Sequence, residues 1–384
     1  MRKVIVGLFG VSLCSINYGV TALGISQIHL LDAIARENHF DLEYWIFSDE
    51  DADKVNLLKD YIPLDLIKTK YIIRIKTGIR GLVRMTKDIR KCSLIIDLTY
   101  GDSFSDIYGL KNYYLYLTPK LLTLRTDVPL ILGPQTYGPF KNPLVKKTAI
   151  NVLKKAACVY ARDRLSLDYC RSEGIGNVKL SSDLAMELPY KNTRLATAGN
   201  KVKIGLNVSV LLWNDYQKYG FRMNYPVFIE KLLSRLDSDN YEIHLITHVY
   251  DAEYDLAQKL AGQYKNTLCA PAFATPVAAK EYIADMDLFI GSRMHATIAA
   301  FSSGTAVIPV SYSRKFEGLY ETAGYPYLID CTKMNEEEAL ERTMSYIANI
   351  DELGKAVRDA LVKAHELNRA YKAELTELIG RYAQ

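Results

Sequence analysis

The six cysteines, at 14, 92, 158, 170, 269 and 331, include no pair with the C-x-x-C spacing of a zinc or redox site. Most sit in apolar runs, as buried free thiols do, so no disulfide framework is expected and a reducing, cytoplasmic compartment is. No apolar run approaches the roughly 20 residues of a membrane span. The opening Met-Arg-Lys-Val-Ile-Val-Gly-Leu-Phe-Gly has the charge order of a secretory leader. Its apolar run is short, however, and Asn17 and Tyr18 interrupt the place where a cleavage region is small and plain, so it reads as a first core strand. Charge of one sign is not in excess. Lys and Arg number 48 and Asp and Glu 44, a net of +4, which speaks against general nucleic-acid binding. Internal repeats, low-complexity tracts and a metal-ligand cluster are also lacking.

What is present is ordinary globular material. Hydrophobic residues make up 49% and charged residues 24% of 384, a length that suggests two domains. The 28 tyrosines suit carbohydrate sites but also fill sheets. Short apolar runs alternate with helical patterns, the rhythm of a parallel sheet. Residues 1–190 form one such domain and 202–350 a second. The polar, patternless stretch 189–201 reads as the linker. A terminal helix over 351–384 is placed to cross back to the first half.

The most informative stretch runs from Asp287 to Gly304. Leu288-Phe-Ile290 reads as a buried strand. Gly291 and Ser292 turn the chain, Met294, Ile298 and Phe301 recur at helical spacing, and Gly304 ends the helix. Arg293 and His295 thus lie at a helix mouth just past the carboxyl end of a strand, where ligands bind in open α/β sheets. Free N–H groups, the dipole and a two-pronged guanidinium suit an anion, and the imidazole can carry a proton.

Other candidates share that edge. Asn17, Tyr18 and Gly19 occupy the loop between a strand over 4–9 and a helix over 22–37. Ser93 to Leu98 reads as a strand bearing Asp97, followed by a loop, 99–109, in which Asp102 and Asp106 share a face if the helix has begun. Each is a candidate base for a sugar hydroxyl or a helix cap. A strand over 128–132 is followed by Gly133-Pro-Gln-Thr-Tyr-Gly-Pro139, which puts Gln135 and Tyr137 at the edge. Arg162 follows a strand over 158–160, a second place for an anion clamp. His248 follows its strand directly and is either a ligand group or a polar loop residue. Tyr312, Arg314 and Lys315 stand at a further strand end. Residues 66–91 carry nine Lys and Arg against Asp88 alone, with Ile79, Leu82, Val83, Met85 and Ile89 at near-helical spacing. That pattern fits either a helix packed by its apolar face or contact with an anionic surface through residues 79–91.

Taken in order, Arg293-Met-His295 after Asp287-Leu-Phe-Ile-Gly, Ala161-Arg-Asp-Arg-Leu-Ser166, Asp183, Gly133 to Pro139, and Tyr312 with Lys315 resemble the polysaccharide pyruvyl transferases. The resemblance spans roughly residues 4–330. It departs at Asp97-Leu-Thr-Tyr-Gly-Asp102, where the family often has a Gly-rich strand end. It departs again at Val20-Thr21, where the family often has an acid. The resemblance implies an α/β fold of two Rossmann-like domains facing a cleft, similar to the B-type glycosyltransferase fold. It implies phosphoenolpyruvate as co-substrate, with no cofactor or metal, and a saccharide acceptor, lipid-linked or not, of a surface exopolysaccharide or capsule. It further implies that Arg162, Arg293 and His295, with Lys315, contact phosphoenolpyruvate. The acceptor would meet Asn17, Tyr18, Gln135 and Tyr137. His295 and either Asp102 or Asp106 would move the protons, at the inner face of the membrane.

Two other readings stay open. A nucleotide-sugar glycosyltransferase would also want a cationic helix mouth, plus an acid such as Glu317 or Glu321 for the ribose. A non-catalytic carbohydrate-binding protein would not need Arg162, Arg293 and His295 together.

Overall fold

The computed structural model describes residues 2–72, 78–192, 201–236, 238–248 and 252–383. Of the segment expected as linker, 193–200 lie outside these, as do Arg74 and Lys76 of the basic stretch. The chain divides into two compact units: residues 1–15, 20–189 and 364–384, and residues 16–19 with 190–363.

In chain order the first unit holds β1 (Val4–Phe9), α1 (Tyr18–Asn38, whose first two residues group with the second unit), β2 (Leu42–Phe47), α2 (Ala52–Asn56), β3 (Ile67–Lys70), α3 (Gly78–Ile89), β4 (Leu94–Asp97), α4 (Leu110–Thr123), β5 (Leu130–Gln135), α5 (Pro143–Lys155), β6 (Cys158–Ala161), α6 (Arg164–Ser172) and β7 (Val178–Leu180). The second holds β8 (Val202–Asn207), α7 (Val210–Asp215), α8 (Tyr225–Leu236), β9 (Tyr241–Leu245), α9 (Ala252–Ala261), β10 (Thr267–Cys269), α10 (Pro276–Ala284), β11 (Leu288–Gly291), α11 (Met294–Ser302), β12 (Ala306–Ser311), α12 (Arg314–Ala323), β13 (Ile329–Asp330) and α13 (Glu336–Ala348). The last helix, α14 (Ile350–Ala383), belongs to the second unit up to Lys363 and to the first from Ala364.

Among the described residues each unit has one wholly parallel sheet, in the order β3-β2-β1-β4-β5-β6-β7 and β10-β9-β8-β11-β12-β13. Parallel strands covered on both faces must be apolar throughout. Leu94-Ile-Ile-Asp97 and Leu288-Phe-Ile-Gly291 are indeed buried at every position. In both units strand order reverses beside the first strand of that unit, between β1 and β4 and between β8 and β11. Such switch points open a crevice at the carboxyl ends of the strands.

Local chemistry sets the ends of the helices. Asn142 accepts from Leu144 N (2.9 Å) ahead of Pro143 in α5, and Asn335 with Glu338 forms a reciprocal cap on α13. Gly324, at φ 79°, closes α12 in the left-handed region. The six cysteines are free. No helix among the described residues is long and apolar enough to cross a membrane.

Candidate active site

In the second unit the switch point gathers four elements. Asn207, the buried last residue of β8, accepts from Arg293 N through Oδ1 (3.0 Å) and donates to Ile246 O (2.9 Å). It thereby fixes the turn that leads into α11. Ser292 Oγ and Tyr225 Oη are 2.7 Å apart, and Tyr225 Oη also accepts from Ser209 N. Arg293 is the N-cap residue of α11 and makes no side-chain cap bond, so its guanidinium is directed elsewhere. Its Nε donates to Glu253 Oε1 of α9 at 2.6 Å. Glu253 is buried, and its second oxygen accepts from His248 N (3.3 Å). A partly exposed arginine is thus aimed by a buried acid, which orients the fork without enclosing it.

His248 lies behind this pair, 5% exposed, and its ring meets that of Tyr18 edge-on with centroids 5.3 Å apart. Among the described residues neither ring nitrogen has a hydrogen-bond partner. Burial, then the charges of His295 and Arg293, hold this imidazole well below its ordinary pKa, so it is neutral at pH 7. His295 stands in the first turn of α11, half-buried, and a Cβ on Gly19 would lie 2.2 Å from its Nδ1. A side chain at position 19 would therefore displace the imidazole. Tyr18 Oη donates to Phe273 O at 2.5 Å. Lys315 lies in the first turn of the neighbouring α12, at the end of β12 and partly buried. The second unit therefore presents the N-termini of α11 and α12, neither capped by its N-cap side chain, with Arg293 at the first N-cap and His295 and Lys315 in the first turns.

In the first unit Arg162 follows β6 and is 1% exposed. Its Nη1 donates to Asp183 (2.7 Å) and its Nε to Thr136 Oγ1 (2.8 Å). Among the described residues its Nη2 has no partner. Burial pushes the guanidinium down, but Asp183, Asp102 and Asp163 outweigh it and hold it above its ordinary value. Nearby, Lys120 of α4 and Asp97 of β4 form a buried ion pair at 2.7 Å, and Lys120 Nζ also donates to Thr99 Oγ1 (2.6 Å). Burial lowers the Lys120 pKa against the pull of Asp97. This pair clamps a turn in which Thr99 and Tyr100 both take positive φ, 37° and 55°. Such left-handed, non-glycine backbone persists only where its surroundings hold it, and it clusters at functional sites.

Several expected positions are corrected. Gln135 and Tyr137 do not stand at an open edge, because both are fully buried. Gln135 is the last residue of β5, and its amide donates to Asp97 O (3.0 Å); Tyr137 Oη donates to Gly133 O (3.4 Å). Asp102 and Asp106 precede α4 instead of sharing its first turn, and neither caps it, since Gly109 is the N-cap. Asp106 Oδ2 accepts from Lys141 N (2.9 Å) and Asn142 N (2.7 Å), tying one loop to another. Asp102 is partly buried and accepts from Tyr108 Oη (2.8 Å). Tyr18 and Gly19 lie in the first turn of α1, which begins four residues earlier than expected. Asn17 is exposed and accepts from Gly19 N (3.1 Å). His248 lies in the loop beyond β9 and is buried there. Lys120 and Glu253, the two groups that pair with acid or arginine at the switch points, were not expected. No group of three or more His, Cys, Asp or Glu suited to a metal ion occurs among the described residues.

Two parallel-sheet units with ligand-type chemistry at the strand ends define a Rossmann-like α/β protein similar to B-type glycosyltransferases and epimerases. Solved structures agree on the fold. A glycosyltransferase from Rickettsia africae ESF-5 superimposes with a TM-score of 0.64 at 12% identity, covering 99% of each chain. Anabaena Alr3699/HepE in complex with UDP gives 0.60 at 12% identity over 99% of this chain and 100% of that one. The UDP-GlcNAc 2-epimerase from Neisseria meningitidis bound to UDP-GlcNAc gives 0.58 at 10% identity over 97% and 100%.

The family model for polysaccharide pyruvyl transferase matches residues 17–314, which takes in Arg162, Arg293 and His295 and stops one residue short of Lys315. The chain belongs to the polysaccharide pyruvyl transferase family. It is similar to the amylovoran biosynthesis protein AmsJ of Erwinia amylovora, at 19% identity over 78% of this chain and 76% of that protein.

Proposed function

We propose that this transferase uses phosphoenolpyruvate to build a cyclic pyruvate ketal across two hydroxyls of a sugar in a surface polysaccharide or its precursor. The observation that carries the reading is Arg293 with His295 at the N-terminus of α11, at the switch point of the second sheet, with Glu253 aiming the arginine. Arg293 and the N-terminus of α11 suit the phosphate, and Lys315 at the mouth of α12 suits the carboxylate. His295 supplies the proton for the methylene carbon as a first sugar hydroxyl adds to the neighbouring carbon. The C–O bond to phosphate then breaks, leaving an oxocarbenium-like centre that the second hydroxyl attacks. The proton of the first hydroxyl replaces the one given to carbon, and that of the second leaves with phosphate.

His248, neutral and buried beside the pair, keeps a third positive charge away from Arg293 and His295. Asp102 is the first unit's candidate base for an acceptor hydroxyl, with one Asp106 oxygen already taken up by backbone. Arg162, with Nη2 unfilled, is a second anion-handling group.

The test is phosphate release from phosphoenolpyruvate, with mass spectrometry of the product, across galactosides, mannosides and lipid-linked repeat units. Phosphate released together with a product heavier by one pyruvate less water supports the reading. Product from a nucleotide sugar, with none from phosphoenolpyruvate across the panel, overturns it.

A further inference from the structure

The basic stretch of the first unit resolves into two faces. Helix α3 turns Gly81, Met85 and Ile89 into the core, with Leu82 half-buried beside them. Ile79 and Val83, which the sequence pattern assigns to the same apolar stripe, point to water: Ile79 is 79% exposed and Val83 49%. Around them Arg80, Arg84, Lys87 and Lys91 follow one another at spacings of four, three and four, a single stripe along the helix and just past its end. This stripe and the end of β3 line a groove of about 580 Å³ that also receives Lys70. The five cations of the groove face one acid, Asp88, a net of +4 (5 − 1), as large as the net charge of the whole chain.

The chemistry selects among anionic partners. The groove lining holds one aromatic ring, Tyr71, which already carries Arg84 Cζ at 5.0 Å from its centroid. Surfaces that bind nucleic-acid bases use several such rings as stacking platforms. Two exposed aliphatic side chains ringed by cations are instead what an interfacial helix presents to a bilayer. The aliphatic groups enter the boundary below the headgroups, and the cations, with their long stems, sit at the phosphates.

We infer that this face of α3 docks on a membrane surface bearing anionic phospholipid. The inference is independent of the proposed donor, because it concerns a surface of the first unit that shares no residue with Arg293, His295 or Arg162.

The experiment is sedimentation of the full chain with phosphatidylcholine vesicles, with and without phosphatidylglycerol, at rising salt. The expected result is binding only where phosphatidylglycerol is present, weakening as salt screens the cations. Each cation near an anionic surface contributes about fivefold in partitioning. The variant R80Q/R84Q/K87Q/K91Q, altered only at exposed positions, should therefore lose at least tenfold. A charge-matched control on the second unit, K231Q/R235Q/K333Q/R342Q, should lose little. I79S/V83S, with every charge intact, should also weaken vesicle binding while leaving binding to the soluble polyanion heparin unchanged. Binding that ignores phosphatidylglycerol overturns the inference, as does an equal loss in the control. Vesicle binding that I79S/V83S leaves intact while heparin competes fully overturns it in favour of a nucleic-acid or polyanion surface.

Discussion

Replacing Arg293 by alanine separates two jobs that one side chain performs. Its Nε lies 2.6 Å from Glu253 Oε1, and the Glu253 side chain is 2% exposed, so the guanidinium both aims outward and neutralises a buried acid. Removing one partner of a buried pair costs about 3–5 kcal/mol. Because the Arg293 side chain is 25% exposed, water can reach the gap and the lower end, about 3 kcal/mol, is expected. That corresponds to a fall of roughly 6–12 °C in the melting temperature of a unit this size. Separately, a lost charge-assisted hydrogen bond to phosphate should weaken phosphoenolpyruvate binding by about 1.5–3 kcal/mol, or roughly 10- to 150-fold. The two effects are parted by adding Glu253→Gln, which removes the stranded charge but creates no anion site. Calorimetric titration and thermal melts of R293A and R293A/E253Q read them out. The double variant should regain most of the melting temperature and none of the affinity. If R293A binds phosphoenolpyruvate within twofold of the parent, or if E253Q restores affinity together with stability, Arg293 is a structural residue and the donor assignment fails.

Four further outcomes follow from the geometry. Gly19→Ala should leave the melting temperature nearly unchanged yet lower turnover by roughly 100-fold, because a Cβ 2.2 Å from His295 Nδ1 forces the ring aside; an unchanged rate would show that the ring position does not matter. His248 binds a proton less readily folded than unfolded, so its contribution to stability is complete above the unfolded value near about 6.5 and declines as pH falls through it. Urea unfolding between pH 7 and 5 should show a slope steeper in the parent than in His248→Gln by up to about 1.4 kcal/mol per pH unit, and parallel slopes would refute the buried neutral state. Lys120→Met should destabilise by about 3–5 kcal/mol by stranding Asp97, and adding Asp97→Asn should recover part of it in denaturant melts. Asn368→Ala should cost about 1–3 kcal/mol, since its Oδ1 accepts from both Ser181 Oγ (3.0 Å) and Ser182 N (3.1 Å), all buried.

How much of this was readable beforehand depends on which force decides each element. Strand β1 stands where its pattern puts it, because a run such as Val4 to Phe9 has no outcome but burial in a covered parallel sheet. The strand–turn–helix carrying Arg293 and His295 was legible for the same reason, with glycines marking its turn and end. Helix α4 was expected after the 99–109 loop but without bounds, since Pro119 and its tyrosines argue against a helix locally and packing overrides them. With its extent unplaced, Lys120 could not be seen to stand at helical spacing with buried Tyr113 and Leu117, on the face turned to Asp97. A lysine set between Pro119 and Leu121, and an acid closing an apolar strand, were the paired signals. Strand β5 runs three residues past its expected end, through Pro134, with a register shift between Leu132 and Gln135. That extension takes Gln135 inside, and no local pattern announces it. Glu253 reads as an ordinary acid in the first turn of α9; only the tertiary approach of Arg293 gives it its role.

The terminal helix has a consequence for how the protein is made. Tyr371, Leu375 and Ile379, all fully buried, complete the first unit from the last part of the chain, and Tyr371 Oη reaches Gln27 of α1 at 2.8 Å. Domains generally fold in the order they leave the ribosome. Here residues 20–189 must wait for residues beyond Lys363, with part of their apolar face open while the second unit is made. A nascent chain halted at Lys363 would carry a whole second unit and a first one still lacking Tyr371, Leu375 and Ile379 from its core.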